Sequence, residues 1–569
     1  MKPRVFPSLI PNIEDWPIYK LHKDRKQFIQ EIEAQTLERF KKRSSKQNAD
    51  TLAKTVYLER IRIKEEPWKV DPPNEGQFWR RIGKKLNNQA VDLPEDQVAE
   101  ANLVLMGQIV HRYAEEIVGT FKISTFLFAR RFLTMFFNRL LNTAAGRNFH
   151  RVFGSKHRLY ERLLVSGEVD TLRSLFSKGT VVVVPTHFSN LDSILIGYAL
   201  DAVVGLPSFS YGAGLNLYNT GYTAYYMNRL GAYRVDRRKK NPIYLETLKN
   251  MSNLALQRGT NSLFFPGGTR SRSGSLETKL KMGLLGSVIE AQRANFIKGK
   301  DEKIFIVPLV LSYHFVLEAK YLIEQHLRQT GKERYMRSRD EFYSVRKLLK
   351  FAWMLFSESN DIHLSFGKAM DVVGNPVDAN GISYDQHGRP VDVKDYFTTD
   401  GQVTANHQRE SEYTKWVSNR IVERFYKDNI VLSSHLVAFA AFNLLQKQFS
   451  DLDVYGLLRF PVDEYQFSRQ ALEEILAQLK AVLFEMEQSG QIHLSDQIYK
   501  DPSAILEDGI RRMGSYHAEK PLRMNKKGEI VSESFHILYF YHNRLDNYGL
   551  EQKINWRLIH LPEPELAEP

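Results

Sequence analysis

His187 and Asp192 stand five residues apart, just after the apolar run Val181-Val182-Val183-Val184-Pro185. That run reads as a buried strand. The histidine then falls in the loop at its carboxyl end, where open α/β sheets place ligands. There a carboxylate can fix the tautomer of an imidazole and stabilise its protonated form, while the other ring nitrogen takes a proton from an alcohol. The same residues also fit plainer structure. Ser189-Asn190-Leu191-Asp192 matches a helix capping box, with Ser189 as N-cap and Asp192 as a first-turn acid. The spacing by itself leaves both readings open.

Three further blocks follow in order. Gly231-Ala232-Tyr233-Arg234-Val235-Asp236-Arg237-Arg238-Lys239-Lys240 runs a strand-like piece into a cluster of cations, suited to a phosphate or to a solvated basic turn. Leu263-Phe264-Phe265-Pro266-Gly267-Gly268-Thr269-Arg270-Ser271-Arg272-Ser273-Gly274 takes a strand into a glycine-rich turn. Its backbone N–H groups, hydroxyls and guanidinium groups can cradle an anion, and it equally fits an ordinary polar turn. The G-x-x-x-x-G-K-[ST] order of a nucleotide P-loop is absent. Ile306-Val307-Pro308-Leu309-Val310-Leu311-Ser312-Tyr313 reads as a strand with an early proline, which alone would be assigned to a core.

The elements that must position these blocks fall into three regions. Residues 1–155 read as a helical N-terminal domain, with charged helical segments separated by breaks such as Asp71-Pro72-Pro73. Within it, Phe121 to Leu141 mixes Phe126, Phe128, Phe132, Phe136 and Phe137 with Lys122, Arg130, Arg131 and Arg139. Such a helix suits either burial or a membrane interface. Residues 156–430 alternate short β-branched runs with helices, which predicts an α/β domain with a mostly parallel sheet flanked by helices. Asp371 to Lys394, rich in Gly, Asp, Asn and Pro, reads as a surface loop. Residues 431–569 read as a mainly helical C-terminal domain. One apolar helix is expected over Asn429 to Lys447, and an amphipathic one over Ser468 to Ser489 that stops at Gly490.

Composition narrows the chemistry. None of the 569 residues is cysteine, which removes disulfides, thiolate-ligated zinc and a cysteine nucleophile. No G-x-S-x-G elbow and no H-E-x-x-H pair occurs, so no metal is expected. The balance of 79 Lys+Arg against 66 Asp+Glu, a net +13, points to anionic partners. No apolar run of about 18 residues is present, so no transmembrane helix is expected, and the start lacks the apolar segment of a signal peptide.

The order of the four blocks resembles the glycerolipid acyltransferase superfamily, whose motifs are H-x4-D, a glycine-to-arginine block, F-P-E-G-T-R-S and a V-P strand. Gly231 to Arg237, Arg270 to Gly274 followed by Lys281, and Val307 to Glu318 are similar to the bacterial glycerol-3-phosphate acyltransferase branch. So is the tail Leu538-Tyr539-Phe540-Tyr541-His542-Asn543. The resemblance covers about residues 180 to 320 and is thinner beyond. It implies His187 as general base, oriented by Asp192, with Arg237, Arg270, Arg272 and Lys281 on the acceptor phosphate. Gly231, Pro266, Gly267, Gly268, Thr269, Ser271 and Pro308 would shape the motifs. One position departs: the third motif carries a glutamate where this chain has Gly267. That bears on acceptor contacts or on the bracing of the loop.

The implied activity moves a fatty acyl group from acyl-CoA or acyl carrier protein to the sn-1 hydroxyl of glycerol 3-phosphate. The thioester is the co-substrate, and no cofactor is expected. Peripheral attachment to anionic lipids at the cytoplasmic face of the membrane goes with it. Within the class, 1-acylglycerol 3-phosphate (acylated at sn-2) and dihydroxyacetone phosphate are alternative acceptors. Gly267 also keeps open an inactive lipid-binding tether on the same fold. A nucleic-acid partner is not expected, because no recognition motif accompanies the charge.

Overall fold

Seven strands form the central sheet of the computed structural model, which describes residues 4–68, 70–92, 94–142, 162–218, 221–330, 361–461, 464–515 and 517–561. In chain order they are β1 (Leu163–Gly167), β2 (Gly179–Pro185), β3 (Ser210–Gly214), β4 (Ala232–Val235), β5 (Ser262–Leu263), β6 (Lys303–Tyr313) and β7 (Ile362–Phe366). They lie side by side as β1-β7-β6-β2-β5-β3-β4. From β6 to β4 all neighbours are parallel; β7 runs antiparallel to β6, and β1 pairs parallel with β7. Val181 to Val184 in β2 are wholly buried, as a strand covered on both faces requires. The mixed sheet flanked by helices is the α/β core that the alternating pattern predicts.

Pro308 lies inside β6, opposite Val184 of β2. A proline cannot donate to a ladder. Its carbonyl accepts from Gly367 N–H at 2.9 Å, but it returns no bond, and the β6–β7 pairing ends one residue earlier at Leu309 and Phe366. The proline is accommodated where its neighbour strand stops.

Four N-terminal helices, Arg25–Lys41, Ser45–Glu65, Glu75–Asp92 and Glu95–Ile117, have their own core of Phe28, Trp79 and Tyr113, which also takes in Tyr244 of the Pro242–Gln257 helix. The Ile123–Asn142 helix divides its aromatic residues. Phe126 is buried, whereas Phe128 (55%), Phe132 (49%) and Met135 (53%) stand exposed. The side chains of Phe137 and Arg139 lie outside the described residues. The C-terminal helices Ser433–Gln448, Arg469–Gln488, Pro502–Arg512 and Phe535–His542 join the same hydrophobic core as the sheet. One expectation is corrected here. The helix expected from Asn429 begins only at Ser433, because β-branched Ile430 and Val431 form a buried parallel bridge with His493 and Leu494. Asp371 to Lys394 folds as predicted into turns and a two-residue hairpin, Ser383–Tyr384 with Pro390–Val391. Among the described residues no helix is long and apolar enough to cross a membrane.

Docking of the C-terminal helices is acid-sensitive by construction. His542 stacks on Phe439 at 5.0 Å, and burial lowers its pKa to about 4. Burial, with Lys520 and Lys320 nearby, lowers His517 to about 3. An unfolded imidazole titrates near 6.5. Between that value and the folded pKa, the unfolded chain binds protons that the folded one does not. Stability therefore rises with pH across this window and falls on acidification, by on the order of 2 kcal/mol per histidine at pH 5. We expect Tm, followed by circular dichroism, to drop between pH 7 and pH 5. His542→Phe should flatten that slope; an unchanged slope would contradict the assignment.

Candidate active site

β2 and β5 are parallel neighbours, so the loops that leave their carboxyl ends lie side by side. The first carries His187 and the second Phe265 to Gly274. His187 Nδ1 is 2.8 Å from Asp192 Oδ2. That oxygen also accepts from the backbone N–H groups of Phe188 (2.7 Å) and Ser189 (2.9 Å). Asp192 Oδ1 accepts from the Tyr313 hydroxyl at 2.6 Å. The carboxylate holds the imidazole and also reaches back to Ser189 N–H, but the capping box is not formed: the helix begins at Asp192 with Leu191 as its N-cap, and Ser189 Oγ donates to Glu318 instead. Since a carboxylate oxygen only accepts, the imidazole proton sits on Nδ1 and Nε2 keeps its lone pair. The ring stacks on Phe265 at 3.9 Å. Burial, together with Asp192, pushes the Tyr313 hydroxyl well above its ordinary range, so it remains a donor.

The rest of His187 is held by the third-motif loop. Its carbonyl accepts from Ser271 N–H at 2.7 Å, and its own N–H donates to Glu277 Oε1 at 3.0 Å. Glu318 connects first and third motifs. Its Oε2 accepts from Ser189 Oγ at 2.9 Å, and its Oε1 from Asn190 N–H and Arg270 Nη1, both at 3.1 Å. Pro266 O accepts from Lys281 N–H at 2.7 Å, closing the base of the turn. Gly268 takes φ +79°, which a side chain resists. Gly231, at φ +80°, is packed so closely by Ile18 that an added Cβ would lie 2.1 Å from its Cδ1.

Among the cations of the second motif, Arg238 and Lys239 are already neutralised. Arg238 pairs with Asp236 at 2.7 Å and with Asp71, and Lys239 with Glu116 at 2.5 Å. Arg237 is different. It has no carboxylate partner among the described residues. Burial, followed by Arg270 and Arg272, lowers its pKa. Its side chain is exposed and lines a cavity of about 350 Å³ together with His187, Asn190, Thr269, Arg270 and Arg272. Three converging guanidinium groups, of which only Arg270 has a carboxylate partner among the described residues, make a site for a doubly charged oxyanion. Lys281 is exposed, lies against Gly268 and does not line this cavity.

A second cavity, of about 380 Å³, is apolar and is lined by Phe126, Phe132, Ile194, Gly197, Phe209 and Met227. Ser193 lines both cavities, so the two meet at the first turn of the Asp192–Ala202 helix. A larger cavity, about 980 Å³, is lined by other residues, Trp416 and Arg420 among them, and shares none with either.

Sequence reasoning missed Glu277, Arg544 and the roles of Tyr313 and Glu318. Arg544 lies over the Phe188 ring at 4.4 Å, donates to Leu311 O (2.7 Å) and Asn429 Oδ1 (2.8 Å), and has its pKa lowered to about 10 by burial. The preceding Asn543 donates to Ser273 O at 2.9 Å. The aromatic tail segment marked this neighbourhood; nothing in the order of residues tied it to His187.

The acyltransferase family model matches residues 165–312, which include His187, Asp192, Arg237, Arg270 and Pro308. Glycerol-3-phosphate acyltransferase of Aeromonas hydrophila subsp. hydrophila is 28% identical over 245 residues, 42% of this chain and 27% of that protein. The protein of the same name from Shewanella loihica is 24% identical over 298 residues, 51% of this chain and 33% of its own length. The chain thus spans about a quarter to a third of the length of the curated relatives it matches. The matched segment is similar to the acyltransferase family and to bacterial proteins named glycerol-3-phosphate acyltransferase.

An anion should bind where Arg237 lacks a partner. Inorganic phosphate at ten times its Kd should stabilise the folded protein by about 1.4 kcal/mol, read as a rise in Tm. Arg237→Gln should abolish that rise while leaving the phosphate-free Tm equal or slightly higher. A variant that responds to phosphate as the unaltered protein does would place the anion elsewhere.

Proposed function

We propose that this protein transfers a fatty acyl group from an acyl thioester, of CoA or of acyl carrier protein, to the sn-1 hydroxyl of glycerol 3-phosphate, giving lysophosphatidate. The observation that carries the reading is the junction at Ser193 of an arginine-lined polar cavity holding His187 with an apolar one. A phosphorylated alcohol suits the first and an acyl chain the second. Arg237, Arg270 and Arg272 hold the phosphate. His187 Nε2 takes the proton of the acceptor hydroxyl as its oxygen attacks the thioester carbonyl. The new C–O ester bond forms, the C–S bond breaks, and the imidazolium returns the proton to the departing thiolate. Asp192 stabilises the imidazolium between these steps. The acyl group passes directly to the hydroxyl, so no enzyme nucleophile and no cofactor takes part.

The test is product analysis with a panel of acyl thioesters, offered glycerol 3-phosphate, 1-acylglycerol 3-phosphate and dihydroxyacetone phosphate separately. Lysophosphatidate from glycerol 3-phosphate is expected, falling by about 10³-fold or more in His187→Ala. In the same assay Gly197→Leu should shift preference to shorter chains, because a Cβ at Gly197 meets nothing within 4 Å and this residue lines the apolar cavity. Phosphatidate alone would move the assignment to sn-2. No product from any acceptor would favour a lipid-binding tether.

We also propose that the chain docks peripherally on the cytoplasmic face of an anionic membrane through the Ile123–Asn142 helix. Exposed Phe128 and Phe132 line the apolar cavity, and exposed Lys122 and Arg131 share their helix or its first turn. An acyl chain would pass between cavity and bilayer along this edge. Vesicles containing phosphatidylglycerol should carry the protein upward in a flotation gradient. Phe128→Ser with Phe132→Ser should weaken that binding by at least ~10-fold, given ~1.5–3 kcal/mol per fully inserted ring. Equal flotation of both proteins would remove this helix from the interface.

A further inference from the structure

Gly267 sits where the third motif otherwise carries a glutamate, yet the space beside it is not empty. A Cβ built on Gly267 would lie 3.0 Å from Glu277 Cγ and 3.1 Å from Glu277 Oε1. A carboxylate thus occupies the ground that a side chain at 267 would enter, and it arrives from ten residues further along the chain. Its Oε1 accepts the backbone N–H of His187 at 3.0 Å. Its Oε2 is buried and has no hydrogen-bond partner among the described residues. Buried acceptors are ordinarily paired.

We propose that Glu277 replaces the missing motif carboxylate from a different position in the chain and acts as a positioning residue for His187. This rests on the acyltransferase reading given above. Every polar atom of His187 except Nε2 then has a fixed partner: Asp192 on Nδ1, Ser271 on the carbonyl and Glu277 on the N–H. With Phe265 against the ring, Nε2 is aimed into the cavity by four contacts, two of them from residues of the third-motif loop and one from Glu277 just beyond it. Glu277 is held inside against its preference. Burial pushes its carboxyl up to about 7, opposed by the His187 N–H and by Arg544, with Asp192 adding to the rise. A side chain at 267 would crowd Glu277, which would have to yield by a few tenths of an ångström. Gly267 leaves that space to the carboxylate that arrives from position 277. Its φ is not in the left-handed region, so the backbone there accepts a side chain once Glu277 is shortened.

Relocation tests this directly on the full chain. Glu277→Ala should lower kcat for acyl transfer to glycerol 3-phosphate by about 10–100-fold, the cost of a misplaced reacting group, with KM for glycerol 3-phosphate within about 2-fold. Amide hydrogen exchange, read by mass spectrometry on the peptide containing His187, should speed up in the same variant. Glu277→Gln, which keeps an acceptor oxygen, should recover most of both losses. The double variant Gly267→Glu/Glu277→Ala should regain at least 10-fold of the lost kcat and the slow exchange. Glu277→Ala with unaltered kcat and exchange would overturn the proposal. So would a double variant that has the Tm of the unaltered protein but remains as slow as Glu277→Ala. Should Glu277→Ala fail to fold, Glu277→Gln against the double variant decides the same question. If the unaltered protein transfers no acyl group, the proposed function fails, whereas exchange at His187 needs no substrate and still scores Glu277.

Discussion

The buried carboxylate of Asp192 is the constraint around which the site is organised. A carboxylate with no solvent exposure is costly unless donors surround it. Here two backbone N–H groups, one imidazole and one tyrosine hydroxyl converge on its two oxygens. Three of these come from the loop after β2 and one from the end of β6. The satisfaction of a single side chain therefore requires the β2–β6 register that puts Val184 opposite Pro308 and carries Tyr313 past the end of β2.

Around that fixed point the charges are distributed unevenly. Arg62, Arg238 and Lys239 are tied into a partly buried network with Glu59, Asp71, Glu75 and Glu116 of the N-terminal region and with the second motif's own Asp236. Such pairing is what burial of charge ordinarily demands. Arg237 escapes it, although its neighbours in the chain do not. The N-terminal helices thus act on the site by removing competitors: their carboxylates are paired with Arg62, Arg238 and Lys239, and the field from Arg237, Arg270 and Arg272 stays available to a ligand. Substrate charge, on the proposed reading, completes an arrangement that the folded chain leaves open.

How much of this was legible in the residues follows from distance along the chain. His187 and Asp192 are local to each other, and β2 announces itself by four successive valines, so their pairing was one of two readings open from the residues, favoured once the other three blocks were found in order. Arg237, Arg270 and Arg272 follow strands that proved to be neighbours or near neighbours in one sheet, which alternation predicts in kind though not in order. Tyr313 is 121 residues from Asp192, and Glu277 is 90 from His187. Each looks like any tyrosine at a strand end or any glutamate in a turn until topology brings it in. The helix start at Ser433 was missed for the opposite reason: an apolar run satisfies helix and strand periodicities alike, and the parallel bridge to His493 decides it.

The C-terminal helices illustrate why a motif is an incomplete description of a site. Arg544 shields Phe188 and ties Leu311 to Asn429, while Asn543 and Val316–Tyr541 fasten the third and fourth motifs to the Phe535–His542 helix. None of these residues falls within the matched segment 165–312 apart from Phe188 and Leu311. Yet the guanidinium of Arg544 is also a counter-charge to Glu277, which holds His187. The chain of support therefore runs from the tail, through a buried cation, to a carboxylate, to the backbone of the residue that faces the cavity. What is preserved in such an arrangement is an acceptor oxygen at a place. A glutamate is free to leave its motif position when another side chain brings its oxygen to the same point, and the glycine left behind gives that side chain room.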